Sequence, residues 1–416
     1  IKVLKTENET NGIAYLNLFF DISDLSPEEL RLLSVLSSVC GDLRTENYPA
    51  DVLQNKIKAT FGRFSLKFDY ISKRGDLENC KPYLQVSVSL LEENAAAATD
   101  LLCEILVNGK YDETDRIAET VMQNDYFMKQ SLIGSGHTFA ITKALSAFSA
   151  EGSLKELLDG ESFVTWFSDF ASNFEKNVEE VSRELTAVAK KVFAKNRLFV
   201  GCGGKFDSSY IEKLVSSLPE GEIGAAAKYP VFDKADCAVE IPSDVGYSGF
   251  GHNLYALGGE FSGSAAVAAS LLTFGYLWGA VRVQGGAYGT GMNVRANGDV
   301  FCYSYRDPNL ENSRAAFGGV SDFLKEFVGQ NMPLDDIIIG TVNTTDPLLD
   351  PSGVCELECI RYLKGSTSES VAKLRGQILD TTPEDIEKLA SFLKEFAENG
   401  KFCAVGNKDA VKFVKE

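Results

Sequence analysis

The feature that most restricts what this chain can fold into is an internal repeat. Residues 12–22 read as a buried strand, and Ser26-Pro27-Glu28-Glu29 then supplies a cap, a proline at the first helical position and acids in the first turn. The helix that follows carries Leu30, Leu33, Leu36 and Cys40 along one face. Strands 63–72 and 83–91 come next, joined across Lys73-Arg74-Gly75-Asp76, and a helix runs through 95–107. The second half repeats the plan with strand 249–257, helix 264–283, strands 288–295 and 300–305, and a helix through Phe327. Asn297-Gly298 between the last two strands is a hairpin signal, because both residues tolerate positive φ.

Spacing supports a duplication. Asp115, Ile117, Thr120, Val121 and Asp125 recur as Asp336, Ile338, Thr341, Val342 and Asp346. Each half also closes on a helix and a short strand ending in Val-Gly, at 196–201 and 401–406. The segment 218–228 is rich in Gly, Ala and Glu and lacks periodicity, so it reads as a linker between domains 1–217 and 229–416. Strand and helix runs do not alternate as a parallel βαβ fold requires. The expected class is α+β: two homologous domains, each a largely antiparallel sheet with helices packed on one face.

Bulk properties narrow the functions. A formal charge of −18 without basic clusters disfavours nucleic acid and suits cationic ligands better. No apolar run approaches the roughly 18 residues that span a bilayer, so no membrane role is expected. Nine scattered cysteines without a C-x-x-C pair fit a reducing cytoplasm or organelle matrix. Cys355 and Cys359 share a helix face, but two thiols fall short of the four ligands of a thiolate zinc site. The chain starts at Ile1 without a signal-like apolar segment, which reads as a piece of a longer protein.

Catalytic chemistry is hard to assemble here. The only histidines, His137 and His252, belong to neither H-E-x-x-H nor H-x-x-E-H, and there is no G-x-S-x-G elbow. His137 reads as a capping or loop residue and His252 as a satisfied strand histidine. No catalytic or metal-binding residue is therefore expected in this chain.

The informative stretch is 277–292, LWGAVRVQGGAYGTGM. Leu271, Phe274, Trp278 and Val281 are spaced as the apolar stripe of a helix, and Arg282 falls in its last turn before Gly285-Gly286. An arginine there complements the helix dipole, which is the plainer reading. Tyr288 then opens a strand in which Thr290, Met292 and Val294 share its face. The glycines at 285, 286, 289 and 291 leave backbone open to another chain. An arginine fork and a tyrosine hydroxyl across such a turn could both donate to the carbonyls of an extended peptide.

RVQGGAYG at 282–289 with SYRDPNL at 304–310 resembles the fourth domain of presequence proteases, within the insulinase-like, inverted-zincin metallopeptidases. KPYLQVSVSLLEEN at 81–94 and SLIGSGHTFA at 131–140 are similar to their third domain. The resemblance implies four related α+β domains in two halves that close around unfolded peptides. It implies zinc in the parent enzyme, held by H-x-x-E-H in an N-terminal catalytic half that this chain lacks, and no zinc here. Arg282, Gly285, Gly286 and Tyr288 would then contact substrate near the scissile bond. Partners would be that catalytic half, or a separate catalytic subunit, and unfolded peptides. The alternative is a peptide-binding or assembly module that keeps the fold without proteolysis.

Overall fold

A computed structural model describes residues 1–345 and 347–414. The first half builds one sheet from β1 (Lys2–Thr6), β2 (Ile13–Asp21), β3 (Arg63–Ile71), β4 (Lys81–Leu91) and β5 (Leu198–Gly203). The second builds another from β6 (Cys237–Glu240), β7 (Gly246–Asn253), β8 (Gly289–Val294), β9 (Asp299–Asp307) and β10 (Lys401–Gly406). The orders are β1-β5-β2-β4-β3 and β6-β10-β7-β9-β8, which is one topology used twice. Every pairing is antiparallel except the edge pairs β1 with β5 and β6 with β10. The matched residues fall on equivalent helices, Thr114–Gly134 and Asp335–Thr345, where Thr120 and Thr341 each donate to the carbonyl four residues back. Asp346 of that pattern lies outside the described residues.

Side-chain alternation sorts each strand between two faces. On β2, Leu16, Leu18 and Phe20 enter the core under the first half's own helices, while Phe19 points to the opposite side. That opposite side is not bare. Helix Pro351–Lys364, from the second half, lies across it with Cys359 against Phe19 and Phe199. Reciprocally, helix Gly136–Leu145 of the first half packs Ala140 and Ala144 against Tyr247, Cys403 and Val405 of the second sheet. Each half thus lends one helix to the other. The fit is close because the strands offer glycine where the helices cross. A Cβ on Gly249 would meet the carbonyl carbon of Ala140 and the amide nitrogen of Ile141 at 2.5 Å, and one on Gly251 would meet Leu145 at 2.9 Å. Coverage on both faces explains why β2 and β7 are almost wholly buried.

Several boundaries move. The strand expected at 249–257 is Gly246–Asn253, because the Asn253 side chain accepts from the Tyr255 amide and turns the chain. The strand expected at 196–201 runs from Leu198 to Gly203 after a single turn at Lys195–Arg197. The edge strands β1 and β6 had no sequence signal. At Asn297-Gly298 only Gly298 has positive φ, +90°, and its amide closes the turn onto Arg295 at 2.9 Å. By length and mean hydropathy the 22-residue segment Gly263–Gln284 is able to cross a bilayer, which corrects the reading that no segment comes near that threshold. Its inner residues Val267, Leu271, Leu277 and Val281 are spent on the second core.

Helix Pro27–Val39 begins with the expected cap: Ser26 and Glu29 exchange bonds with each other's backbone amides. Just before it, Asp24 forms a two-pronged ion pair with buried Arg197 at 2.6 and 2.8 Å. Arg197 also donates to the carbonyls of Asp21 and Glu222, and the Gly224 amide donates to Asp24. The pair so ties the irregular segment after Leu218 to the first half. Burial alone would raise the Asp24 pKa, but the bonds from Arg197 and Gly224 and the guanidinium charge outweigh it and hold the value at about 2, against 3.8 ordinarily. A depressed folded pKa stabilises above the unfolded value and is lost as pH falls toward the folded one. The stability advantage of the wild type over Asp24→Asn should therefore shrink by about 2 kcal/mol between pH 5 and pH 2. A urea-unfolding difference that does not change with pH would refute this.

Candidate functional site

The helix starting at Gly263 widens from Leu272 onward into π winding that lasts to Gln284. Its end shows the wider ring directly: the Gly285 amide bonds the Ala280 carbonyl five residues back, at 3.1 Å. The changed winding buries Leu272, Leu277 and Val281, and turns Phe274 and Trp278 outward, 66% and 38% exposed. Of the expected stripe of Leu271, Phe274, Trp278 and Val281, the first and last enter the core and the middle two do not. Instead, Phe274, Trp278 and Arg282 form an outward row. The Phe274 and Trp278 rings are 6.3 Å apart, and the guanidinium lies 4.1 Å over Trp278.

Tyr288 completes the cluster. It precedes β8 and is 67% exposed, whereas Thr290 and Met292 beyond it are buried. Its ring lies 5.6 Å from the Arg282 guanidinium and edge-on to Tyr305 at 5.9 Å. Its amide is fixed on the Tyr305 carbonyl at 3.1 Å. Neither the Arg282 guanidinium nor the Tyr288 hydroxyl bonds any described residue. The structure thus brings the two side chains together, outward and with unused donors. Lying over Trp278 gives the guanidinium a cation–π partner without consuming its N–H groups.

The intervening glycines have local reasons. Gly286 has φ +84°, a conformation that side chains disfavour. A Cβ on Gly285 would meet the Val281 carbonyl at 2.5 Å, and one on Gly291 the Tyr303 ring at 3.0 Å. Gly285 and Gly291 are therefore filled from within the fold, which corrects the reading that they hold space for another chain. The strand edge is partly covered too, since the Thr273 hydroxyl bonds both the amide and the carbonyl of Met292, at 2.9 and 3.2 Å.

The remaining reactive side chains do not gather into a centre. His252 is buried, stacks on Phe148 at 3.9 Å and accepts from the Asn253 amide through Nδ1 at 2.8 Å. His137 makes no capping bond. It sits instead against Tyr247, Tyr303 and Tyr305 of the second sheet, at ring distances of 6.3, 5.8 and 4.8 Å. Cys355 and Cys359 are buried against β5. Among the described residues no three His, Cys, Asp or Glu side chains are arranged to hold a metal ion, so the residues described offer zinc no ligand set. Arg282 and Tyr288, singled out in the sequence, stand side by side, but Trp278 under the guanidinium was not anticipated. The four-residue spacing of Phe274, Trp278 and Arg282 was the available signal.

Comparison with known proteins agrees with this architecture. Residues 1–170 match the family of regions associated with subfamily C of the M16 peptidases, and residues 236–406 match the PreP C-terminal domain. Protein HypA of Clostridium perfringens is 28% identical over 426 residues, covering 100% of this chain and 43% of that protein. Presequence protease 1, chloroplastic/mitochondrial, of Arabidopsis thaliana is 28% identical over 425 residues, covering 99% and 39%. The chain spans about two fifths of the length of these relatives. In fold it is similar to a peptidase M16 inactive domain from Pseudomonas fluorescens, with TM-score 0.66, 14% identity and coverage of 98% and 95%. A conserved protein from Enterococcus faecalis is also similar, with TM-score 0.69, 16% identity and coverage of 98% and 96%. With one family match in each half and relatives aligned along its whole length, the chain belongs to the M16 peptidases of the presequence-protease kind and forms their C-terminal half.

Proposed function

We propose that this chain is the substrate-holding, non-catalytic half of a zinc metalloendopeptidase that degrades unstructured peptides. Zinc and the general base belong, in this reading, to the catalytic half of the same protein. Arg282 and Tyr288 reach the bound peptide near the scissile bond and donate hydrogen bonds to its carbonyls. Gly285 and Gly286 set the turn that holds these two side chains side by side. The observation that carries the reading is a guanidinium lying over a half-exposed indole, next to an exposed phenol, with no carboxylate among the described residues spent on it. A charge that served only the helix end would need no such platform. Donors fixed before the substrate arrives stabilise charge that develops on a carbonyl oxygen without a reorganisation cost.

The hydroxyl of Tyr288 bonds no described residue, so its removal should be silent for stability. In the full-length protein, Tyr288→Phe is expected to lower kcat/KM on a quenched fluorescent peptide about 10-fold, with an unchanged unfolding midpoint. Equal kcat/KM for the variant and the wild type would count against Tyr288. A full-length protein without peptidase activity would overturn the reading as a whole.

A further inference from the structure

His137, from the first half, is placed among the rings that adjoin the Arg282 and Tyr288 pair. Tyr305 is the link: its ring lies 4.8 Å from the imidazole on one side and 5.9 Å from the Tyr288 ring on the other. The Tyr288 amide is held on the Tyr305 carbonyl, so the two tyrosines are fixed relative to each other. Helix Gly136–Leu145 holds the imidazole there, because Gly136 lets it settle on Tyr247, where a Cβ would stand 2.5 Å from the ring.

Hydrogen-bonding capacity at this seam is unused. Tyr247 spends its hydroxyl on the Ile133 carbonyl at 2.8 Å. The hydroxyls of Tyr288, Tyr303 and Tyr305 and both ring nitrogens of His137 bond no described residue, and the His137 Nδ1 is shielded from solvent as well. Nδ1 is closed to a ligand, so contact falls to the accessible Nε2 and to the idle phenols. Burial pushes the imidazole pKa down, so at neutral pH the ring is uncharged and Nε2 serves as a donor or an acceptor according to tautomer. Phenols offer both roles. An amide group presents a carbonyl acceptor and an N–H donor, and it is the uncharged complement of such a surface.

We propose that His137, Tyr303 and Tyr305 form a second contact surface for the main chain of an extended peptide, continuous with Arg282 and Tyr288, so that bound substrate crosses the seam between the two halves. This rests on the reading of Arg282 and Tyr288 given above. Binding then depends on the helix that the first half lends to the second sheet, and the Arg-Tyr pair is only one end of the peptide path.

The chain has two histidines, which makes the test direct. The probe is an end-blocked, unstructured peptide without ionisable side chains, added to the histidine-labelled chain. On saturation the ring resonance of His137 should move, while that of His252, buried beneath Phe148, serves as the internal reference and stays. His137→Phe keeps a ring among the tyrosines and removes both nitrogens. It should weaken binding of this peptide about 5- to 10-fold without lowering the unfolding midpoint. If that variant fails to fold, Tyr305→Phe removes a single hydroxyl and should give a loss of similar size. Arg282→Ala separates the two readings. If it abolishes binding while the His137 resonance and the His137→Phe affinity do not change, the seam proposal falls and the Arg282 reading stands. If Arg282→Ala and His137→Phe both leave affinity intact, the Arg282 reading falls and the seam proposal with it.

Discussion

Arg282→Ala should lower kcat/KM of the full-length protein on an unstructured peptide by about 100-fold, or about 3 kcal/mol of transition-state stabilisation. The size follows from the geometry. The guanidinium lies over Trp278, beside Tyr288, and no carboxylate among the described residues pairs with it, so its donors are left for a ligand. The loss should fall mainly on kcat, because a donor aimed at a polarised carbonyl counts for more as charge builds on the oxygen. Stability should hardly change, since the alanine variant forfeits only a half-exposed stacking contact, worth about 0.5–1 kcal/mol. Arg282→Lys keeps the charge and loses the planar fork, and it should recover only part of the rate. An alanine variant with wild-type kcat/KM, or one whose whole loss is accounted for by unfolding, would remove Arg282 from the site.

Gly249→Val should destabilise the chain by about 3 kcal/mol, which is large for one added side chain. A new Cβ at this position faces backbone atoms of the lent helix, the Ala140 carbonyl carbon and the Ile141 amide nitrogen, both at 2.5 Å. Backbone within a helix cannot swing aside as a flexible side-chain end can, so the helix has to lift off the sheet. Lifting it opens the cluster of Ala140, Ala144, Tyr247, Cys403 and Val405 to water. Thermal unfolding followed by calorimetry measures the effect, with a midpoint drop on the order of 5–10 °C. The same variant should weaken peptide binding if His137 takes part in it, because that helix carries the imidazole. A valine tolerated at 249 without loss of stability would contradict the close packing described for this seam.

What could be read from the sequence follows the range of the forces involved. Local signals gave the helix cap before Pro27, the hairpin at Gly298 and the central strands of both sheets. Position in a repeated pattern gave the two equivalent halves. The strands Lys2–Thr6 and Cys237–Glu240 escape a sequence reading because they are short, exposed and paired with strands far along the chain. The π winding escapes it because a helical stripe is drawn at 3.6 residues per turn, and each added residue per turn rotates the faces. A stripe drawn that way places Phe274 and Trp278 in the core. Arg282 and Tyr288 are legible as a pair, but the ring under one and the tyrosine beside the other are not. Least legible is the setting of His137: an apolar helix face states that it must be buried, not which sheet will bury it.

The reciprocal loan of helices carries a consequence for ancestry. Helices Gly136–Leu145 and Pro351–Lys364 follow the matched helices of the two repeats, so each is the same part of its unit. A protein made of one unit could shield the far side of its sheet only by pairing with a second copy, each arm reaching over the twofold axis. Gene fusion through the stretch after Leu218 would convert such an arm-swapped homodimer into a single polypeptide, freeing the copies to diverge. One copy could then gain an arginine and tyrosine that the other lacks, and the former contact between copies would become an interior surface.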